Sequence, residues 1–108
     1  MLIKLTDQNY IDTIAATDKT PLLVDFWTSR AEACRYNAPV ADEIAREFEG
    51  RLSVGKVNVD DCPYLVGTYQ IKVVPSMAVF HKGRLAATLA GVVTKEQVIE
   101  VLKEKGPL

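Results

Sequence analysis

Two thiols and one acid set in an apolar run are the residues of this chain best suited to chemistry. Cys34 stands in Ser29-Arg30-Ala31-Glu32-Ala33-Cys34-Arg35, just after the run Leu22-Leu23-Val24-Asp25-Phe26-Trp27, and Cys62 lies between Asp61 and Pro63. A thiol attacks only as its thiolate, which a helix N-terminus or a nearby cation favours and apolar burial opposes. Disulfide reduction by a dithiol needs one exposed, low-pKa attacking thiolate and a second thiol to resolve the mixed disulfide. Asp25 sits in a strand that should be buried, where an unpaired carboxyl shifts its pKa upward rather than staying charged.

Other chemistries find little support. Two cysteines without two close pairs or a histidine cluster are not a zinc site, and the only histidine, His81, precedes Lys82-Gly83 and reads as a solvated turn residue. No metal or other cofactor is expected. Thirteen basic and 14 acidic residues, spread without blocks, leave a net charge of -1 and no electrostatic reason to bind nucleic acid or an anionic membrane. The start, Met1 to Tyr10, has no basic segment followed by an apolar run, and no stretch approaches the roughly 18 apolar residues of a membrane span. A cytoplasmic, monomeric protein is expected, with one domain over residues 1–108, since 48% apolar and 25% charged residues suit an ordinary packed core.

The elements that must position these groups follow from periodicity. Ile3 and Leu5 alternate as a strand, and Thr6 precedes a helix with Tyr10, Ile11, Ile14 and Ala15 at helical spacing. After a break at Asp18 to Pro21, Leu22 to Trp27 has the pattern of a strand covered on both faces. From Ala31 to Phe48, Ala38, Ala41, Ile44, Ala45 and Phe48 predict the longest helix, kinked at Pro39 and stopped by Gly50. Leu52 to Val59 reads as a strand, and Asp60-Asp61-Cys62-Pro63 opens a short helix whose buried side is Leu65, Val66 and Tyr69. Met77 to Phe80 and Leu85 to Leu89 form a hairpin through His81-Lys82-Gly83-Arg84, and Gly91 ends its second strand. Thr94-x-x-Gln97 predicts a capping box for a last helix carrying Val98, Ile99, Val101 and Leu102, ended by Gly106-Pro107. The order is β-α-β-α-β-α-β-β-α, an α/β arrangement with a mixed sheet.

Val24 to Trp27 (VDFW), Ala38-Pro39, Asp42 to Ala45 (DEIA), Gly55 to Asp60 (GKVNVD), Tyr69 to Ser76 (YQIKVVPS), Phe80 to Gly83 (FHKG) and Gly91 together resemble the thioredoxin family over nearly the whole chain. The resemblance implies the thioredoxin fold, a mixed five-stranded sheet flanked by four helices. That family's signature is Trp-x-x-Trp-Cys-Gly-Pro-Cys-Lys, and here Trp27 to Arg35 reads Trp-Thr-Ser-Arg-Ala-Glu-Ala-Cys-Arg. Trp27 and Cys34 match, Arg35 keeps the charge, Arg30 replaces the second Trp, Glu32-Ala33 replaces Gly-Pro, and Ala31 stands where the attacking cysteine is expected. The resemblance gives Cys34 the deeper, resolving position and Asp25, with Lys56 nearby, a proton-relay role that is vestigial or atypical without the nucleophile. It also implies that Val74-Pro75 is a cis-proline step beside a groove for an extended peptide or protein, bordered by Trp27, Arg30, Val74, Pro75 and Gly91.

Several readings stay open from the residues. Ser29-x-x-Glu32 has the form of a capping box, in which Glu32 would help seat the helix end, or Glu32 is a solvated first-turn residue. Trp27 and Tyr69 suit core packing first and groove contact second. Cys62 is expected to be a partly exposed thiol, and its pairing with Cys34 would require Cα atoms within about 7 Å. Three functions are compatible: a binding or assembly protein without ordinary reductase activity, an atypical oxidoreductase using Cys34 and perhaps Cys62, or a thioredoxin whose site was altered by design.

Overall fold

A computed structural model of the chain describes residues 1–106 and 108; the Pro107 half of the expected Gly106-Pro107 stop lies outside the described residues. Five strands, β1 (Leu2–Lys4), β2 (Leu22–Trp27), β3 (Ser53–Asn58), β4 (Ser76–His81) and β5 (Arg84–Ala90), form one sheet in the order β1-β3-β2-β4-β5. β1 and β2 run parallel to β3, whereas β4 pairs antiparallel with both β2 and β5. Four helices accompany the sheet: α1 (Tyr10–Ala15), α2 (Cys34–Glu47), α3 (Pro63–Thr68) and α4 (Lys95–Lys105). This is the mixed five-stranded sheet with four helices of the thioredoxin fold.

Strand alternation sorts the core onto the two sheet faces. Leu22, Val24 and Phe26 of β2 pack with Tyr10, Ile14, Leu65 and Phe80, under α1 and α3. Leu23 packs with Ala41, Ile44, Val54, Met77, Val98 and Leu102, under α2 and α4. Five of the six β2 residues are buried, because β2 has neighbours in the sheet on both edges and helices on both faces. Each large apolar side chain so buried contributes about 1.5–3 kcal/mol. Asp25 lies on the α2 face at the centre of this strand, in register with Lys56 on one side and Met77 on the other.

Local hydrogen bonds fix the ends. The Thr94 capping box is formed in both directions, with Gln97 N donating to Thr94 Oγ1 (3.1 Å) and Thr94 N donating to Gln97 Oε1 (2.9 Å). Lys82 and Gly83 both have positive φ, 55° and 74°, which makes a two-residue turn matched to the strand twist. His81 is therefore the last residue of β4, paired with Arg84, rather than a turn residue. Lys95 bridges from α4 to Glu43 (2.9 Å) and Glu47 of α2, and these two carboxylates push its pKa up to about 12.

Two boundaries depart from the sequence expectation. α2 begins at Cys34 rather than Ala31, because residues 28–33 are spent in turns: Ala31 N donates to Thr28 O and Cys34 N to Ala31 O. The segment from Val59 to Thr68 is two pieces, a 3-10 turn (Val59–Asp61) capped by Asn58 and then α3 starting at Pro63. The carboxylate of Asp7, across the corner, supplies the start of α3 by accepting from Tyr64 N and Leu65 N, which no local pattern reveals. Ile11 is 66% exposed, since Tyr10 and Ile14 already fill the one side of α1 that faces the sheet.

Gly55 is the tightest approach in the sheet. A Cβ there would lie 2.8 Å from Leu5 Cδ1 and 3.5 Å from Leu22 Cδ1, both in buried side chains. Gly55→Ala is therefore expected to lower unfolding free energy by about 1–3 kcal/mol, read from urea unfolding, because the overpacked core must shift.

Candidate functional site

β2 ends at Trp27, and the chain turns through Thr28 to Ala33 before Cys34 opens α2. Thr28, which is buried, organises that turn: its Oγ1 accepts from Arg30 N (3.3 Å) and donates to Asp60 Oδ2 (2.6 Å). Arg30 Nη2 donates to the other oxygen of Asp60 at 2.6 Å, so one carboxylate on the 3-10 turn clasps both the loop backbone's organiser and its arginine. These two donors hold the Asp60 carboxyl below the usual carboxylate range, Arg30 contributing most. The capping box expected from Ser29 to Glu32 does not form. Ser29 is exposed, the N-cap position is held by Ala33 without a side-chain bond, and Glu32, solvated as the other reading has it but ahead of the helix, pairs with Arg35 at 2.9 Å. A hydroxyl does organise the turn, but it belongs to Thr28, one residue earlier.

Six of the residues singled out from the sequence meet in one cleft: Asp25, Trp27, Ala31, Glu32, Cys34 and Lys56. Asp25 is 1% exposed, its Oδ2 lies 3.5 Å from Lys56 Nζ, and its Oδ1 has no hydrogen-bond partner among the described residues. Burial pushes the Asp25 carboxyl up, the Lys56 ammonium pulls it part of the way back, and the charge of Asp42 pushes it up again. Lys56 is shared, because Asp42 on α2 takes it at 3.0 Å. The acid thus keeps its proton to higher pH than a free carboxyl, in a cleft that it lines together with Cys34.

The other predicted residues lie elsewhere. Cys62 is 2% exposed, not partly exposed as expected: it packs in the α1/α3 core, its thiol donates weakly to Leu5 O at 3.7 Å, and burial pushes its pKa up. Cys34 starts α2 over the opposite face, and both cysteines are free. Tyr69 stacks edge-on to Tyr10 and Phe80 in the same core as Cys62 and makes no part of the cleft. Arg30, Val74, Pro75 and Gly91 are also outside the cleft lining. Val74-Pro75 is a cis peptide, and Pro75 O accepts from Gly91 N at 2.9 Å, so these two loops stand together.

The sequence reading missed the residue that ties those loops to α2. Asn37, fully buried, donates from Nδ2 to Gly91 O (3.1 Å) and accepts at Oδ1 from Val93 N (3.0 Å). Its signal was its place: Cys34, Asn37, Ala41 and Ile44 are the buried stripe of α2 at three-and-four spacing, and an amide on such a stripe must find partners. Thr28 and Asp60 were invisible to local pattern because their contacts span 32 residues.

An α/β fold with a mixed sheet, a helix opening at the end of its central strand and a proline loop beside that opening defines the class. A family model described as Thioredoxin matches residues 1–104. Relatives include the thioredoxin of Buchnera aphidicola subsp. Acyrthosiphon pisum, 34% identical over 103 residues, 95% of this chain and 94% of that one. Thioredoxin 1 of Nostoc sp. is 35% identical over 101 residues, 94% of each chain. The chloroplastic M-type thioredoxin of Triticum aestivum is 33% identical over 98 residues, 91% of this chain and 56% of its own length. The chain belongs to the thioredoxin family.

Three measurements follow from this geometry. Asp25→Asn is expected to raise stability at pH 8 by about 1–3 kcal/mol, since ionising a buried, half-satisfied carboxyl costs free energy that an amide does not incur. The folded pKa is raised, so the wild-type protein loses stability as pH rises from the unfolded carboxyl's pKa through the folded one; urea unfolding should show the gain from Asp25→Asn full above the folded pKa and shrinking as pH falls below it. Asn37→Ala should cost about 2 kcal/mol by the same assay, because Gly91 O and Val93 N lose their partner. In thiol titration of the native protein Cys34, which lines the cleft, should react before Cys62, and both should titrate fully in denaturant.

Proposed function

We propose that this thioredoxin-family protein is a binding or assembly module that lacks ordinary dithiol-disulfide reductase activity and holds a protein or extended peptide. Its groove is bordered by Trp27, Arg30, Val74, Pro75 and Gly91, and it works as a cytoplasmic monomer without a cofactor. The observation that carries this reading is Ala31. The position expected to deliver an attacking thiolate has a methyl group, and the one thiol nearby, Cys34, is buried at the start of α2. Cys62 offers no replacement, being buried in the other core.

The groove, by contrast, is kept in order. Asn37 anchors Gly91, Gly91 bonds Pro75, and Arg30 is held by Asp60. Val73 and Val92 are half exposed next to these loops, apolar surface of the kind an extended chain covers. A second reading, slow thiol chemistry by Cys34, is favoured by the survival of the Asp25–Lys56 pair beside it, which would serve proton transfer.

Panning unstructured ten-residue peptides against the immobilised protein tests the binding role. Enriched peptides should shift the amide resonances of Trp27, Val74 and Gly91 and lose affinity to Val73→Asp. Failure to enrich any peptide, or enriched peptides that leave those resonances unmoved, would overturn the proposal.

A further inference from the structure

The strand order leaves the sheet two edges, and they differ. β1 is three residues long and ends in Lys4, whereas β5 runs seven residues from Arg84 to Ala90. Folded proteins usually guard a long edge with a charge, a proline or a bulge. The register steps from Phe80–Leu85 to Val79–Ala87, so Ala86 is an extra residue and the half of β5 next to the hairpin is bulged. The other half, Ala87-Thr88-Leu89-Ala90, carries neither charge nor proline.

The hydrogen-bond ladder fixes which groups of that half are free. Gly91 N donates to Pro75 O at 2.9 Å, so residues 75 and 91 form a hydrogen-bonded pair and Met77 with Leu89 is the next one along. Thr88 and Ala90 therefore turn their N–H and C=O groups away from β4, and both residues are exposed at the open edge. Leu89, between them, points to the face of α2 and α4 and packs on that core. Beside it on this face runs a groove of about 450 Å³ with Leu89, Val93 and Val101 as apolar wall. Among the described residues Glu100 and Glu104 are the only charged ones lining it, both exposed and neither in an ion pair.

We propose that the β5 edge docks an extended segment of a partner protein as a sixth strand, one that presents a lysine or arginine abreast of Leu89. The N–H and C=O groups of Thr88 and Ala90 supply the backbone bonds of such an addition. The partner side chain abreast of Leu89 shares its face and so enters the groove. A long basic side chain suits it, laying its aliphatic stem on Leu89 and Val101 and carrying its charge to Glu100 and Glu104. Two copies of this chain suit it poorly, because pairing through Thr88 and Ala90 would bring their two acidic grooves together. The surface goes beyond the peptide groove and uses none of Trp27, Arg30, Val74 or Pro75. Val92 borders both surfaces, whereas Thr88, Glu100 and Glu104 serve this one.

The test is an amide-resonance titration with the blocked peptide Thr-Val-Lys-Val-Lys-Val-Thr and with its counterpart carrying glutamate for lysine. Shifts should centre on Thr88, Leu89, Ala90 and Val101, and the bound lysine peptide should slow amide exchange at Thr88 and Ala90. The glutamate peptide should bind about ten-fold more weakly, since it sets like charges together. Glu100→Gln with Glu104→Gln, at exposed helix positions that leave folding intact, should weaken the lysine peptide about five-fold, as two exposed ion pairs predict. Thr88→Pro, which removes one outward N–H at an edge position that tolerates proline, should abolish binding. Val73→Asp, which strikes the peptide groove, should leave it unchanged, so the two surfaces fail separately. Equal affinity for the two peptides, no shifts, shifts centred on Trp27, Val74 and Gly91, or a dimer of this chain joined through Thr88 and Ala90 would overturn the proposal.

Discussion

The carboxyl of Asp25, buried at the centre of β2 with a single cation to hold it, is the constraint around which the rest of the site is arranged. An unpaired charge in that strand is untenable, so Lys56 must come from the neighbouring strand in exact register and Asp42 from the helix above must share it. Ala41, Ile44 and Ala45 seat α2 on the sheet, and the triad joins its Asp42 to β2 and β3 beneath. The buried stripe of α2 then adds Asn37, which reaches the opposite way to hold the Gly91 and Pro75 loops. Polar side chains of one helix, Asp42 and Asn37, thus reach both sides of the site.

Around this core the fold is overdetermined and the loop is not. β2 is buried on both faces and paired on both edges, so its stability tolerates changes at the turn that follows. The turn itself rests on Thr28, Arg30 and Asp60, a network that needs no sulfur at residue 31. Substitutions over residues 31–33 therefore leave that network, and the scaffold, in place. Function has to be argued from those residues rather than from the fold.

Much of this was legible in advance. The doubly buried strand Leu22–Trp27, the Lys82-Gly83 hairpin and the Thr94–Gln97 capping box each declare themselves in a few neighbouring residues, and each formed where expected. What escaped were contacts between residues distant in sequence. Asp7 supplying the start of α3, Asp60 clasping Thr28 and Arg30, and the burial of Cys62 against Leu5 are all products of chain crossing. The Ser29 capping box failed for a related reason: its spacing was right, but Thr28, tied to a carboxylate 32 residues away, took over the turn and moved the helix start to Cys34.

The proposed reading pairs a complete thioredoxin-family scaffold with alanine at residue 31, where the family resemblance expects a thiol. Insulin disulfide reduction, followed with dithiothreitol as electron source, compares the unmodified protein directly with its Ala31→Cys variant. The unmodified protein should not exceed the rate with dithiothreitol alone, while Ala31→Cys should rise clearly above it. Turnover by the unmodified protein comparable to that of the variant would contradict that reading.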